Sequence, residues 1–247
     1  MPVSGDSEMS FWDHLDVLRG ALVRIVVAVL LCSVGIFFLK TWVFDYIVFA
    51  PAKGDFFVYD WLKSSFNLNL VNLDISAQFF THIKISFVLG LTLTFPYIIY
   101  EIWKFISPAL YQNEKAAVRK AFAFASLLFY IGVAVGYIFV FPVTLNFFQG
   151  YSISDSVVNT FSLQSYISMM TSLVLLFGLV FEFPAVLAVL SKLGIVSRGM
   201  LRKYRRHAIV AVLVVSAIIT PADPMSMLIA AAPLYLLYEL SVFVCAK

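Results

Sequence analysis

The sequence predicts an all-α integral membrane protein: six transmembrane helices, both termini in the cytoplasm, and a curved, concave bundle whose fifth and sixth helices are short. Three observations predict this. Hydrophobic residues make up 62% of the 247-residue chain and charged residues only 13%, against roughly 45–50% and about 25% in a soluble domain. Mean hydropathy is +0.95. The apolar residues fall into runs in series, each near the roughly 20 residues that cross a hydrocarbon layer about 30 Å thick, and Lys and Arg are divided unequally between alternating loops.

The runs extend from Ala21 to Leu39, Ala77 to Trp103, Ala121 to Phe148, Leu163 to Leu190, His207 to Thr220 and Met225 to Val244. They define a single six-span domain over residues 1–247, with a cytoplasmic amphipathic segment over residues 1–20. One Lys or Arg precedes the first span, four follow the second, six follow the fourth and one lies in the tail, so twelve share a side, while the first loop puts three on the other. The positive-inside rule then places both termini in the cytoplasm. Arg24 and Lys84 lie within spans near their ends, where long side chains snorkel to the interface. Asp6, Glu8, Asp13 and Asp16 against a lone Arg19 make the wrong n-region for a cleaved secretory signal.

The segment ahead of the first span carries a capping-box pattern, Ser10-Phe11-Trp12-Asp13, with Phe11, Leu15 and Leu18 at helical spacing. It predicts a short amphipathic helix on the membrane surface, with Asp16 and Arg19 one turn apart and able to pair. The first external loop, Lys40 to Ser76, is rich in aromatic residues and predicts short interfacial helices. Phe-Pro pairs at Phe95-Pro96, Phe141-Pro142 and Phe183-Pro184 predict three bent spans. The fifth span has about 14 residues and reaches only about 21 Å. The sixth is bounded by Pro224 and interrupted by Pro233, so this half predicts local thinning of the bilayer or a short helix buried in the bundle.

Two carboxylates stand out. Glu114 follows the second span beside Lys115 and before Arg119, where it either partners those cations or accepts a guanidinium in bidentate fashion. Glu182 lies inside the fourth span next to Pro184, where an ionisable group costs at least about 2.5–3.5 kcal/mol and calls for a partner or a hydrated cavity. His14, His82 and His207 are far apart, and neither His-x-x-x-His, Cys-x-x-Cys nor a Gly-rich phosphate loop occurs. Hence no metal, cofactor or catalytic set is predicted, and the net charge of +3 argues against a nucleic-acid surface.

Four segments then acquire a common meaning: His14-Leu-Asp-Val-Leu-Arg19, Phe105-Ile-Ser-Pro-Ala-Leu-Tyr-Gln-Asn-Glu114, Phe177-Gly-Leu-Val-Phe-Glu182-Phe-Pro184 and Thr220-Pro-Ala-Asp223. In order and spacing they resemble the TatC family, the signal-peptide receptors of the twin-arginine protein translocase. The resemblance spans essentially the whole chain. It implies binding of twin-arginine signal peptides of folded cargo, TatA-type and TatB-type single-span partners, a multi-copy complex in the bacterial inner membrane, and transport on the proton motive force. By resemblance Glu114 binds the arginine pair, Phe105 shapes that site and Arg19 orders the N-terminal segment. Glu182 meets the signal's apolar stretch or a polar residue of a partner helix. Pro51 and Asp223 belong to the outer face, in partner contact or loop structure. The family's usual His-Leu-x-Glu-Leu-Arg has Val17 at the glutamate position here, which makes Asp13 or Asp16 the candidate substitute. The alternative reading from the residues is a proton-coupled secondary transporter of a small solute using Glu182 and Lys84. An intramembrane enzyme lacks a catalytic cluster, and a pure scaffold leaves Glu114 without a role.

Overall fold

A computed structural model describes residues 11–62, 68–107, 112–154, 156, 159–192, 194–220 and 223–245, with side chains omitted at 11–14, 62, 112–121 and 244. Ser10, Pro108 and the side chains of Asp13 and Glu114 lie outside the described residues.

Eleven described helices carry the fold. Helix α1 (Phe11–Phe38) is followed by the short α2 (Lys40–Val43) and α3 (Phe57–Leu62), then by α4 (Ala77–Ile106). A second long rod is built from α5 (Gln112–Val135), a π turn over Gly136–Val140 and α6 (Phe141–Gly150). Helices α7 (Leu163–Val180) and α8 (Phe183–Lys192) form the next, and α9 (Arg198–Lys203), α10 (Arg205–Ile219) and α11 (Pro224–Val244) complete the chain. Strands β1 (Leu70–Val71) and β2 (Phe161–Ser162) pair in parallel and tie the first loop to the third.

Five helical segments are long and apolar enough to cross a membrane: Leu15–Phe38, Ala77–Ile106, Phe122–Gly150, Leu163–Lys192 and Pro224–Phe243. The predicted fifth span is α10, whose 15 residues reach about 22 Å. The sixth differs from expectation: α11 runs 21 residues straight through Pro233 and is not short. A proline removes one backbone donor, which a helix packed on its neighbours absorbs as a bend. The surface helix expected before the first span is likewise not separate. It is the first turns of α1, which run on through Gly20 into the span, no proline standing between them.

The three Phe-Pro sites respond differently. Pro96 leaves α4 continuous. Ahead of Pro142 the rod widens into the Gly136–Val140 π turn, which absorbs the missing N–H. Pro184 breaks the helix outright: Glu182 donates its N–H to the Leu179 carbonyl at 3.1 Å, and α8 restarts with Pro184 in its first turn, where no donor is needed.

The helices pack in a series. Helix α1 lies on α4, α4 on α5 and α7, α5 on α7 and α8, α8 on α11, and α11 on α10, while α1 and α10 share no substantial contact. Apolar side chains such as Leu31, Phe38 and Ile218 face outward, the inverse of a soluble surface. Buried hydroxyls return to their own helix: Thr94 donates to the Gly90 carbonyl at 2.7 Å, Thr171 to Ile167 at 2.8 Å and Ser216 to Val212 at 2.8 Å.

Gly90 permits the α1–α4 contact, because an added Cβ would lie 2.9 Å from the Ser33 backbone and collide with its hydroxyl. Gly90→Val is therefore expected to cost at least about 1–3 kcal/mol through forced separation of the two helices, measurable by thermal unfolding in detergent. At the end opposite Phe105, two phenols of the bundle pin the first loop, and a third, within the loop, staples it to itself. Tyr137 donates to the Ile47 carbonyl at 2.6 Å, Tyr166 to Val48 at 2.7 Å and Tyr59 to Pro51 at 2.6 Å. Burial holds the Tyr59 phenol well above its ordinary pKa, so it remains a donor. Tyr137→Phe and Tyr166→Phe are each expected to destabilise by about 0.5–1.5 kcal/mol, with faster amide exchange across residues 44–52 as the local readout.

Candidate functional site

Helix α1 runs antiparallel to α4, and the middle of α1 meets the last turns of α4. There Arg24 and Glu101 form a forked ion pair. Arg24 Nε stands 3.1 Å from both carboxylate oxygens and Nη2 donates to Oε2 at 2.7 Å. Tyr97, one turn before Glu101, donates to Oε1 at 3.0 Å. The Glu101 side chain is only 4% exposed, whereas that of Arg24 is 45% exposed. A carboxylate buried at this depth is tolerable because a guanidinium and a phenol satisfy it together.

Beyond this clasp, toward the chain's basic end, lie the residues singled out in the sequence. Arg19 precedes Arg24 by five residues, about 7 Å along α1, and Phe105 follows Glu101 by four, about 6 Å along α4. Asp16 and Arg19 are both exposed, and they make no ion pair with each other among the described residues, contrary to the pairing their spacing permits. An exposed pair gains little from holding two long side chains together. Phe105 is half-buried near the end of α4, and Glu114 is the third residue of α5.

Sequence reasoning missed the partnership of Arg24 and Glu101: Arg24 does not simply snorkel but crosses to α4. A signal was present. The pattern Tyr-x-x-x-Glu recurs as Tyr97 to Glu101 and Tyr235 to Glu239, each toward the end of a long helix whose neighbour carries an arginine, Arg24 within α1 and Arg205 at the start of α10. The structure builds both in the same way. Arg205 Nη2 donates to Glu239 Oε2 at 2.6 Å and the Tyr235 hydroxyl to Oε1 at 3.0 Å.

The other predicted residues are scattered. Glu182 occupies the break between α7 and α8, half-buried, with Oε1 enclosed and unpaired and the carboxylate beside the Phe129 backbone. Lys84 donates to Ser168 Oγ at 3.0 Å, so it does not meet Glu182. Pro51 is buried in a 3-10 turn over Ala50–Ala52, and its carbonyl receives Tyr59. Asp223 caps α11, its Oδ1 accepting from the Ser226 N–H at 2.7 Å while Oδ2 is enclosed without a partner. Both residues thus sit in local bonds that shape their turns. An unpaired carboxyl oxygen within a span is costly, so Glu182→Leu is expected to raise stability by about 2 kcal/mol or more while lowering transport, read as Tm in detergent against export of a reporter.

These features define a multi-pass helical membrane protein whose polar chemistry is gathered at helix ends and one helix break rather than in a catalytic pocket. The chain belongs to the TatC family, the Sec-independent protein translocase protein (TatC), whose family pattern matches residues 13–233. The TatC of Blattabacterium sp. subsp. Periplaneta americana is 35% identical over 253 residues, covering 96% of this chain and 95% of that protein. That of Aquifex aeolicus is 36% identical over 236 residues, covering 95% and 94%. The Escherichia coli K12 TatC is 38% identical over 174 residues, covering 70% and 67%. A crystal structure of the twin-arginine translocase receptor TatC superimposes with a TM-score of 0.77 at 34% identity, over 94% of this chain and 97% of that one. A second, in the detergent DDM, gives 0.80 at 34% identity over 95% and 100%. The chain is thus a membrane subunit of the Tat translocase, a transport component rather than a member of a catalytic family.

Proposed function

We propose that this subunit is the receptor for twin-arginine signal peptides and the core of the Tat complex, exporting folded proteins on the proton motive force. Its partners are TatA-type and TatB-type single-span proteins in a multi-copy assembly of the bacterial inner membrane, and both its termini lie in the cytoplasm. The observation that carries this reading is the Arg24–Glu101 pair, which fixes the Arg19 turn of α1 beside the Phe105 turn of α4. Two segments far apart in sequence thereby form one surface at the end of the chain where Lys and Arg gather. In this reading Glu114 takes the arginine pair in charge-assisted bonds with Asp13 or Asp16 as the second carboxylate, Phe105 shapes that site, and Arg19 orders the N-terminal segment. Glu182 offers a polar contact at depth to a signal or a partner helix. A transporter relay gains no support, because Lys84 donates to Ser168 Oγ and does not meet Glu182.

The test uses vesicles containing the protein with and without the single-span partners. A folded reporter carrying an Arg-Arg signal should enter only with the partners and an imposed proton gradient. Solute-coupled proton flux through the protein alone, with no reporter transport, would instead establish the transporter.

A further inference from the structure

The second clasp differs from the first in what surrounds it. Between Phe183 and Lys247 the chain has six cations close together in sequence, Lys192, Arg198, Arg202, Lys203, Arg205 and Arg206, and Glu239 is the one carboxylate at that end of the segment. Arg205 gives Nη2 to Glu239, and its Nε is enclosed by the protein without an acceptor, so only the remaining guanidinium N–H groups face outward. Arg198 has no carboxylate at all among the described residues. Its guanidinium lies 5.3 Å above the Phe243 ring and its Nε is also unpaired. Glu239 and Phe243 are one turn apart on α11, so the two guanidiniums reach the same face of that helix, about 6 Å apart along its axis.

That face continues as apolar surface. Leu236, Leu240 and Phe243 follow at i, i+4 and i+7 and are 62%, 51% and 64% exposed. The basic end therefore presents two guanidiniums, Arg205 paired with Glu239 and Arg198 with no carboxylate among the described residues, directly above a lengthwise apolar stripe on a spanning helix. A free anion would use only the first feature and an acidic soluble protein would not reach the second. A lipid uses both. We propose that the junction of α9, α10 and α11 binds an anionic phospholipid, with Arg198 and Arg205 holding its phosphate and the Leu236–Leu240–Phe243 stripe receiving an acyl chain.

The experiment titrates delipidated full-length protein in neutral detergent with phosphatidylglycerol, phosphatidylcholine and inorganic phosphate. Binding is read by native mass spectrometry and by the lipid-dependent rise in Tm. Phosphatidylglycerol should bind, phosphatidylcholine should bind markedly less, and inorganic phosphate should not displace the lipid. Arg198→Gln should weaken phosphatidylglycerol about fivefold, as expected for one cation at an anionic headgroup, whereas Arg206→Gln should change it by less than about twofold. The paired substitution Arg205→Gln with Glu239→Gln keeps the clasp uncharged and foldable and should also weaken the lipid. The proposal is overturned by equal binding of the two lipids, by displacement with inorganic phosphate or an acidic peptide, or by equal loss in Arg198→Gln and Arg206→Gln.

Discussion

Glu114→Ala is expected to weaken binding of an Arg-Arg signal peptide by about 10- to 100-fold, the equivalent of losing charge-assisted bonds worth about 1.5–3 kcal/mol. The same substitution should leave Tm nearly unchanged, as expected for a carboxylate in the first turn of α5 replaced by a good helix former. An equivalent Lys-Lys peptide should bind weakly to both proteins, because an ammonium cannot present the parallel donors of a guanidinium to a carboxylate. Fluorescence anisotropy of a labelled peptide measures all four combinations. A loss below about twofold would mean that recognition rests on another group, and Asp13→Ala and Asp16→Ala would then become the decisive variants.

The second large effect belongs to the clasp. Glu101→Gln leaves Arg24 without its carboxylate, and Arg24→Gln leaves a buried carboxylate with only Tyr97 to satisfy it, the worse of the two outcomes. Both are expected to lower Tm by several degrees and to weaken the Arg-Arg peptide although neither residue touches it in the proposed site. A purely stabilising role predicts that peptide affinity follows Tm. A positioning role predicts that the exchanged pair, Arg24→Glu with Glu101→Arg, recovers affinity and Tm together, whereas a second-site stabiliser recovers Tm alone. The same peptide titration, repeated on these variants, separates the two.

The long apolar runs were legible because a spanning helix must satisfy its backbone internally and face lipid, which leaves few sequences to choose from. Their ends were less so. That α1 continues through the Phe11 segment, or that Pro184 breaks a helix while Pro96 and Pro233 do not, depends on what packs against each turn. Periodicity carries no record of that. The motif residues Phe105, Arg19 and Asp16 were visible as residues, but their shared end of the molecule became visible only with the antiparallel α1–α4 contact. Glu101 escaped notice because its partner is 77 positions away in sequence. The Tyr-x-x-x-Glu repeat showed a carboxylate with a phenol one turn back, but the arginine that completes it belongs to another helix.

The most direct test of the receptor assignment is site-specific photo-crosslinking. A photoreactive residue is placed at Phe105, and a second protein carries it at Trp61, an exposed position on α3 in the loop at the opposite end of the bundle. A receptor captures an Arg-Arg signal peptide at position 105, captures little of the Lys-Lys form there, and captures none at position 61. Equal capture of both peptides at 105, or capture confined to 61, would contradict the assignment.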